Sequence, residues 1–473
     1  MLKKNLKQKL KKPTRVMYLN FVIFHVLIGI LIYSFKFLSL IYLLGILAYY
    51  IFKIIKNQKD KFVPIEAAAY IMAVEVFLRM TNGMVFYESG KYAVILFFLL
   101  GMYFHSFKLK GLPILIYFLA LIPSIYFTYQ SIHLEDSFRK FVLFNLSGPF
   151  SLVVTTLYCY DLKISLKRFL GILNIIVLPV ITMTTYLFLY TPDLKAVIIG
   201  SQSNFAASGG FGPNQVSTTL GIGIFILLIR LIVPYRNQLV QLIMMLILAA
   251  ISYRALATLS RGGVVVAILM FVVFLVLYAF YAPAKSKLKL VPKLGLLVLG
   301  AILVWSYTLV QTNNQLANRY TNKNARGIQK EDASAGRFDL IETEFNNFSE
   351  NPIFGVGVGI GKYARLENEE AAASHNELTR MLSEHGSFGL VGILVLLLIP
   401  AFRFLKNPQN LFMISLLIFW GATINHSAMR IAAPGFMYGF AMLNIQYRKK
   451  KKKVGVAASN KSFKNENLTL SRQ

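Results

Sequence analysis

The chain has 473 residues, 56% of them hydrophobic, with a formal net charge of +30 and a mean hydropathy of +0.58. That composition is too apolar for a soluble chain, and no soluble basic segment exists to carry nucleic-acid binding, so the charge points to membrane orientation instead. The single cysteine, Cys159, excludes a disulfide framework and a cysteine-based metal site.

The apolar residues fall in runs of about 18–22, the length that crosses a hydrocarbon core as a helix. A closed β-barrel, the other spanning solution, would show short alternating segments, and nothing here alternates. The first run, 16–34, follows Lys3, Lys4, Lys7, Lys9, Lys11, Lys12 and Arg15. It is long, rich in Phe and Tyr and lacks a small-x-small cleavage site, so it reads as a retained span and not a signal peptide. Further spans are predicted near 37–55, 63–79, 91–106, 111–128, 141–160 and 169–190. Others follow near 216–233, 238–257, 263–281, 294–311, 386–402, 409–425 and 431–446. Runs 63–79 and 431–446 are short enough to be re-entrant or interfacial. The expected fold is an all-α polytopic membrane protein with about 12–14 transmembrane helices.

Charge orients it. With the N-terminus in the cytoplasm, every second loop is basic: Lys53 to Lys61, Lys108 and Lys110, then Lys163, Lys167 and Arg168. The pattern continues with Arg230 and Arg236, Lys285 to Lys293, Arg403 and Lys406, and the tail Arg448 to Lys453. Both termini are expected in the cytoplasm of a bacterial inner membrane, with Lys-rich ends near anionic lipid headgroups.

Residues 312–385 break the apolar pattern on the outer side and hold 11 of the 20 acids. A loop this long is uncommon without a function. Helices of its own are predicted near 336–349 and 373–385. The expected organisation is an N-terminal bundle of about 11 spans over 1–311, the large loop 312–385, C-terminal helices over 386–446 and a basic tail 447–473. Residues 454–473 are polar enough to be disordered.

Ionisable groups at the outer ends of the spans are Arg79, Lys91, Arg139, Arg254, Arg261, Arg337, His375, Arg380, His385, His426 and Arg430. Such groups are expensive near a membrane and are functional candidates by default. Arginine matches two phosphate oxygens with its planar fork, so the set suggests a lipid-linked phosphate or diphosphate. Arg254 and Arg261, seven residues apart, are expected on one helical face; interfacial snorkelling is the plainer alternative. Ser260-Arg261-Gly262-Gly263 reads as a tight helix junction. Glu75 and Arg79, four apart, read as a structural ion pair. The run Gly355 to Lys362 lacks the glycine and the Ser/Thr of a phosphate loop and reads as a flexible interface turn. His375, in Ser374-His375-Asn376-Glu377, is suited to take a proton from a hydroxyl nucleophile. No His/Asp/Glu spacing resembles a metal-ligand set.

These residues resemble a known family. His375, Asn376, nine residues, Gly386 and Gly389 are similar to the histidine motif of the O-antigen ligase and O-antigen polymerase superfamily. Gly336-Arg337 followed by Asn351-Pro352 and Gly355-Val356-Gly357 resembles its upstream run. Gly212-Pro213-Asn214-Gln215 and Ser260-Arg261-Gly262 resemble two further signatures. The resemblance implies a GT-C-like, metal-independent inverting glycosyltransferase without cofactor. It would move a glycan from undecaprenyl diphosphate to an acceptor hydroxyl, on a growing glycan or on lipid A–core, for surface polysaccharide or lipopolysaccharide. His375 would be the base; Arg261 and Arg337, with Arg254, would bind the diphosphate; Asn376, Asn214, Ser260, Gly386 and Gly389 would support them. Leu390 stands where ligases often carry Thr, which tilts the reading toward a polymerase or a ligase-like enzyme with another acceptor. A lipid-linked oligosaccharide flippase is the alternative, though no internal repeat is present.

Overall fold

The computed structural model describes residues 15–105, 108–131, 138–235, 237–288, 290–330, 337–361, 376–427 and 429–447. The basic start 3–12, the tail 454–473, Gly336, His375 and the Arg337 side chain lie outside the described residues.

Helices dominate. The first group is α1 (Arg15–Ser34), α2 (Leu38–Lys56), α3 (Val63–Met80), α4 (Ser89–Phe104), α5 (Ile114–Leu121), α6 (Ser124–Ser131) and α7 (Phe138–Cys159). Then come α8 (Leu166–Tyr190), α9 (Leu194–Val197), α10 (Pro213–Ile232), α11 (Gln238–Ala257), α12 (Arg261–Tyr281) and α13 (Ala284–Leu288). The last are α14 (Val291–Gln311), α15 (Gln315–Tyr320), α16 (Arg337–Glu350), α17 (Glu377–Lys406), α18 (Met413–Ser427) and α19 (Ala432–Ala441). Two short strands, β1 (Lys163–Ser165) and β2 (Asn444–Gln446), pair in parallel.

Nine helical segments among the described residues are long and apolar enough to cross a membrane, and three shorter apolar helices accompany them. Every apolar run of the sequence falls on one of these or on α3 and α19. The protein is an all-α polytopic membrane protein. Helix α3 carries Glu66, Glu75 and Arg79, and all its residues are buried, so its charges meet protein and not lipid. Helix α10 is 83% buried over its apolar window against 6% for α14, which makes α10 central and α14 peripheral.

Local chemistry sets the ends. Pro64, Pro213 and Pro292 stand in the first turns of their helices, where a missing N–H is harmless. Ser165, Asn237 and Asn376 cap α8, α11 and α17 with side-chain oxygens. Pro123 separates α5 from α6 within one apolar run.

Loop contacts sort the helix ends onto two faces. On one face, Asp161 meets Lys108 at 2.6 Å, Arg403 at 2.8 Å and the Asn444 amide at 2.7 Å. On that face too, Arg168 pairs with Asp60 and Glu66 at 2.8 Å each, and Lys293 donates to the carbonyls of Leu231 and Ile232. Lys108, Arg168, Lys293 and Arg403 all belong to basic loops of the charge alternation. On the opposite face, the Ser201 hydroxyl donates to the Lys323 carbonyl at 2.7 Å and the Asn313 amide to the Lys195 carbonyl at 3.4 Å.

Candidate functional site

The site is built where α10 and α12 begin. Ser260 ends the turn after α11 and is the N-cap residue of α12, so Arg261 is the first residue of that helix. The Ser260 hydroxyl donates to Asn214 Oδ1 at 2.7 Å, and the Ser217 hydroxyl donates to the Ser260 carbonyl at 2.9 Å. Asn214 and Ser217 sit in the first turns of α10, so this most buried span holds the junction in place. Leu259, at φ 54, makes the reversal. The expectation that Arg254 and Arg261 share a helical face is therefore corrected: the turn Thr258–Ser260 puts them on different helices.

Arg261 is half-buried and has no ion-pair partner among the described residues. Two further cations come near Arg261. Arg319 of α15 donates through Nε to the Leu259 carbonyl at 2.9 Å and reaches Ser203 Oγ at 3.3 Å. A short hairpin then returns the chain: the Lys330 N–H donates to the Asn322 carbonyl at 3.1 Å, with a bridge between Lys323 and Gln329. Partial burial, with Arg319 and Arg261 nearby, holds the Lys330 ammonium below its ordinary range. Tyr320 lies beside them. Burial pushes its phenol up to about 12 against the pull of Arg261 and Arg319, so it stays a donor, and its hydroxyl has no hydrogen-bond partner among the described residues.

Arg254 is elsewhere. It is 1% exposed, donates to the Thr191 carbonyl at 2.9 Å and lies 4.2 Å over the Phe188 ring. Its Nε and Nη1 have no partner among the described residues.

A second buried polar cluster adjoins the first through Gln215, the residue after Asn214. Gln215 Oε1 accepts from Arg79 at 3.2 Å, and Arg79 pairs with Glu75 at 2.5 Å. Glu75 in turn accepts the Ala432 N–H at 2.7 Å, and Arg79 donates to the Arg430 carbonyl at 3.1 Å and lies 3.9 Å over Tyr87. Lys91 of α4 is 1% exposed, 5.5 Å from the Phe144 ring. The ion pair read from the sequence is present, and it also ties α3 to α10 and to the start of α19.

The histidine motif opens α17. Asn376 caps the helix, its Oδ1 accepting the N–H of Leu378 at 2.9 Å. One turn in, buried Arg380 donates to Glu377 at 2.5 Å, to Glu384 at 3.1 Å and to Asn145 at 2.9 Å. The helix is broken at Gly386, whose φ of 59 and ψ of −137 are open only to glycine, and a Cβ there would lie 2.6 Å from the Ile353 backbone. At Gly389 a Cβ would lie 2.0 Å from the Met381 carbonyl. The glycine-rich run fills the break: the N–H groups of Val356 and Gly357 donate to the carbonyls of Ser383 and Glu384 at 2.9 and 3.2 Å, and Ser387 donates back to Pro352 at 2.8 Å. It is an interface turn, joined to α17 by these bonds. Behind it, His385 Nδ1 meets the Ser124 hydroxyl at the α5–α6 break. Arg337 is the first residue of α16.

Residues 243–394 match the family model described as O-antigen ligase. The match spans about a third of the chain and supports an assignment to the O-antigen ligase and polymerase superfamily. No curated protein matches the chain. The matched segment runs from α11 into α17 and contains Arg254, Ser260, Arg261, Arg337, His375, Asn376, Gly386 and Gly389; Asn214 lies upstream of it.

The structure brings Asn214, Ser260 and Arg261 together and leaves Arg254 apart. Arg319, Tyr320 and Lys330 went unnoticed in the sequence. A signal was present: residues 311–330 contain Arg319, Lys323, Arg326 and Lys330 and no acid, whereas the acids of the loop start at Glu331.

Proposed function

We propose that this superfamily member is an inverting membrane glycosyltransferase. It transfers a glycan from undecaprenyl diphosphate to an acceptor hydroxyl at the outer face of a bacterial inner membrane, with both termini in the cytoplasm. The observation that carries the reading is the Arg261 corner, where a cation without an ion-pair partner among the described residues stands at the α12 N-terminus, a junction fixed by Ser260 and Asn214. A helix N-terminus adds its own positive potential, and both favour an oxyanion that gains charge.

In the reaction the acceptor oxygen attacks the anomeric carbon as the bond to the diphosphate breaks, and the acceptor proton passes to His375. The diphosphate leaves with one more negative charge than it carried as an ester. Arg261 and Arg337 stabilise it, each typically worth about 10²–10³ in rate. Arg254, buried apart from this corner on α11, would contribute positive potential only and no contact. A positioned imidazole contributes about 10²–10⁴ as general base. Asn376 fixes the chain directly after His375, and the Gly386 break sets the direction in which that first turn enters. The domain reading follows: 1–311 and 386–446 form the membrane part, 312–385 is the outer loop that completes the site, and 447–473 is the cytoplasmic tail. Leu390 favours polymerisation over ligation to lipid A–core.

The test is substitution. Arg261→Lys and Arg337→Lys, which keep the charge and lose the fork, should abolish transfer on glycan ladder gels at unchanged protein abundance. His375→Ala should stop transfer and spare binding of the lipid diphosphate. Full activity of all three variants would remove these residues from the site.

A further inference from the structure

We propose that Arg319 and Lys330, from the first part of the outer loop, complete with Arg261 a cradle for the two phosphates of a polyprenyl diphosphate. This rests on the reading of the site as a donor site and adds residues to it that lie outside the sequence motifs.

The geometry is specific. The Arg319 Nε bond to the Leu259 carbonyl sets its guanidinium on the turn that ends in Arg261, two residues further on. The Lys330–Asn322 backbone bond folds the hairpin so that Lys330 returns to the residue two beyond Tyr320. Arg261, Arg319 and Lys330 are each half-buried, so an incoming ligand can reach them. Neither Arg261 nor Lys330 has an ion-pair partner among the described residues, and the segment 311–330 that supplies the other two cations contains no acid. Lys330 lies close enough to Arg319 and Arg261 to be acted on by both charges, and crowding of this kind is common at functional sites. The Tyr320 hydroxyl beside them is a donor without an acceptor among the described residues. Three cations from two separate elements offer more donors than one phosphate needs, so a diphosphate is the ligand assigned over a monophosphate.

The chain offers its own reporter. Trp305 lies 5.1 Å from the Tyr320 ring, and only one other tryptophan, Trp420, is present. The full-length protein with Trp420→Phe, purified in nanodiscs of zwitterionic lipid, would be titrated with inorganic diphosphate, farnesyl diphosphate and inorganic phosphate. Saturable quenching by both diphosphates is expected, with phosphate at least tenfold weaker. Lys330→Gln should weaken farnesyl diphosphate about tenfold and Arg319→Gln by at least as much, the size of one charge-assisted contact. Lys330→Arg should retain affinity, and unchanged thermal midpoints would show that the variants fold. Repeating the titration in nanodiscs containing cardiolipin separates the sources of phosphate: unchanged affinity supports the diphosphate, whereas cardiolipin alone producing the quench would assign the cations to a lipid headgroup and overturn the proposal. Unaltered diphosphate affinity in both glutamine variants would overturn it too. Diphosphate binding lost in those variants, in a protein that transfers no glycan, would leave the cradle standing and sink the enzyme reading instead.

Discussion

The Ser260 hydroxyl donates to Asn214 Oδ1 across 2.7 Å, joining residues 46 apart in sequence and fixing the start of α12 against the start of α10. The next residue on each side acts outward: Arg261 enters the cation corner, and Gln215 accepts from Arg79. One hydrogen bond thus links the candidate anion site to the buried Glu75–Arg79 pair. Asn214→Ala leaves that hydroxyl without its acceptor and should lower stability by about 1–3 kcal/mol. Transfer should fall further than the thermal midpoint predicts, because Arg261 loses its fixed position. Equal, small losses in both measurements would make the bond purely structural.

The Glu75–Arg79 pair is buried on both sides, with side chains 0% and 2% exposed. Breaking such a pair leaves a charge without a partner and typically destabilises by about 3–5 kcal/mol. Glu75→Gln should therefore reduce the yield of monodisperse protein sharply in detergent. The double variant Glu75→Gln, Arg79→Gln should recover part of it. A double variant worse than either single would show that the Arg79 contacts to Gln215 and the Arg430 carbonyl outweigh the charge.

Gly386 tests the break in α17. Gly386→Ala forces a side chain into a positive-φ position and toward the Ile353 backbone, at about 1–3 kcal/mol for the backbone strain alone. Thermal unfolding should register that loss, and proteolysis should cut the run 352–359 faster as its bonds to Ser383, Glu384 and Ser387 loosen. An unchanged digestion pattern would separate the glycine-rich turn from the break.

The membrane fold was legible because most apolar runs are long enough to span, and the break between outer loop and span was readable at Gly386, where the structure bends the helix. The Glu75–Arg79 pair was legible from its i, i+4 spacing. The Asn214–Ser260 bond was not, since it is a long-range contact that no local period encodes. Arg319 and Lys330 escaped because each is an ordinary basic loop residue until α15 sets Arg319 on the Leu259 carbonyl and the hairpin returns Lys330 toward Arg319 and Arg261. Arg254 misled for the opposite reason: a seven-residue spacing reads as one helical face, and the positive-φ Leu259 between the two arginines turns the chain back.

Asp161 gives a pH-dependent check on the packing of the other face. Burial raises its carboxyl pKa, but the Lys108 and Asn444 hydrogen bonds and the charge of Arg403 outweigh that and hold it below the ordinary value. A carboxylate with a depressed folded-state pKa contributes stability above its unfolded pKa, near 4, and loses it as pH falls through the folded value. Asp161→Asn should thus lower the thermal midpoint at pH 7, and its gap to wild type should close below about pH 4. A gap that persists or widens in acid would mean the side chain acts by shape alone.

The central claim is glycan transfer, and reconstitution measures it most directly. Purified protein in liposomes, supplied with undecaprenyl-diphosphate glycan and with either a second such lipid or lipid A–core, should convert the donor to free undecaprenyl diphosphate and a glycan product with inverted anomeric linkage. The product should be a longer chain on the same lipid, with His375→Ala inactive, and addition of a chelator should leave the rate unchanged. An intact donor lipid carried across the bilayer with no new glycosidic bond would contradict the account and establish a flippase.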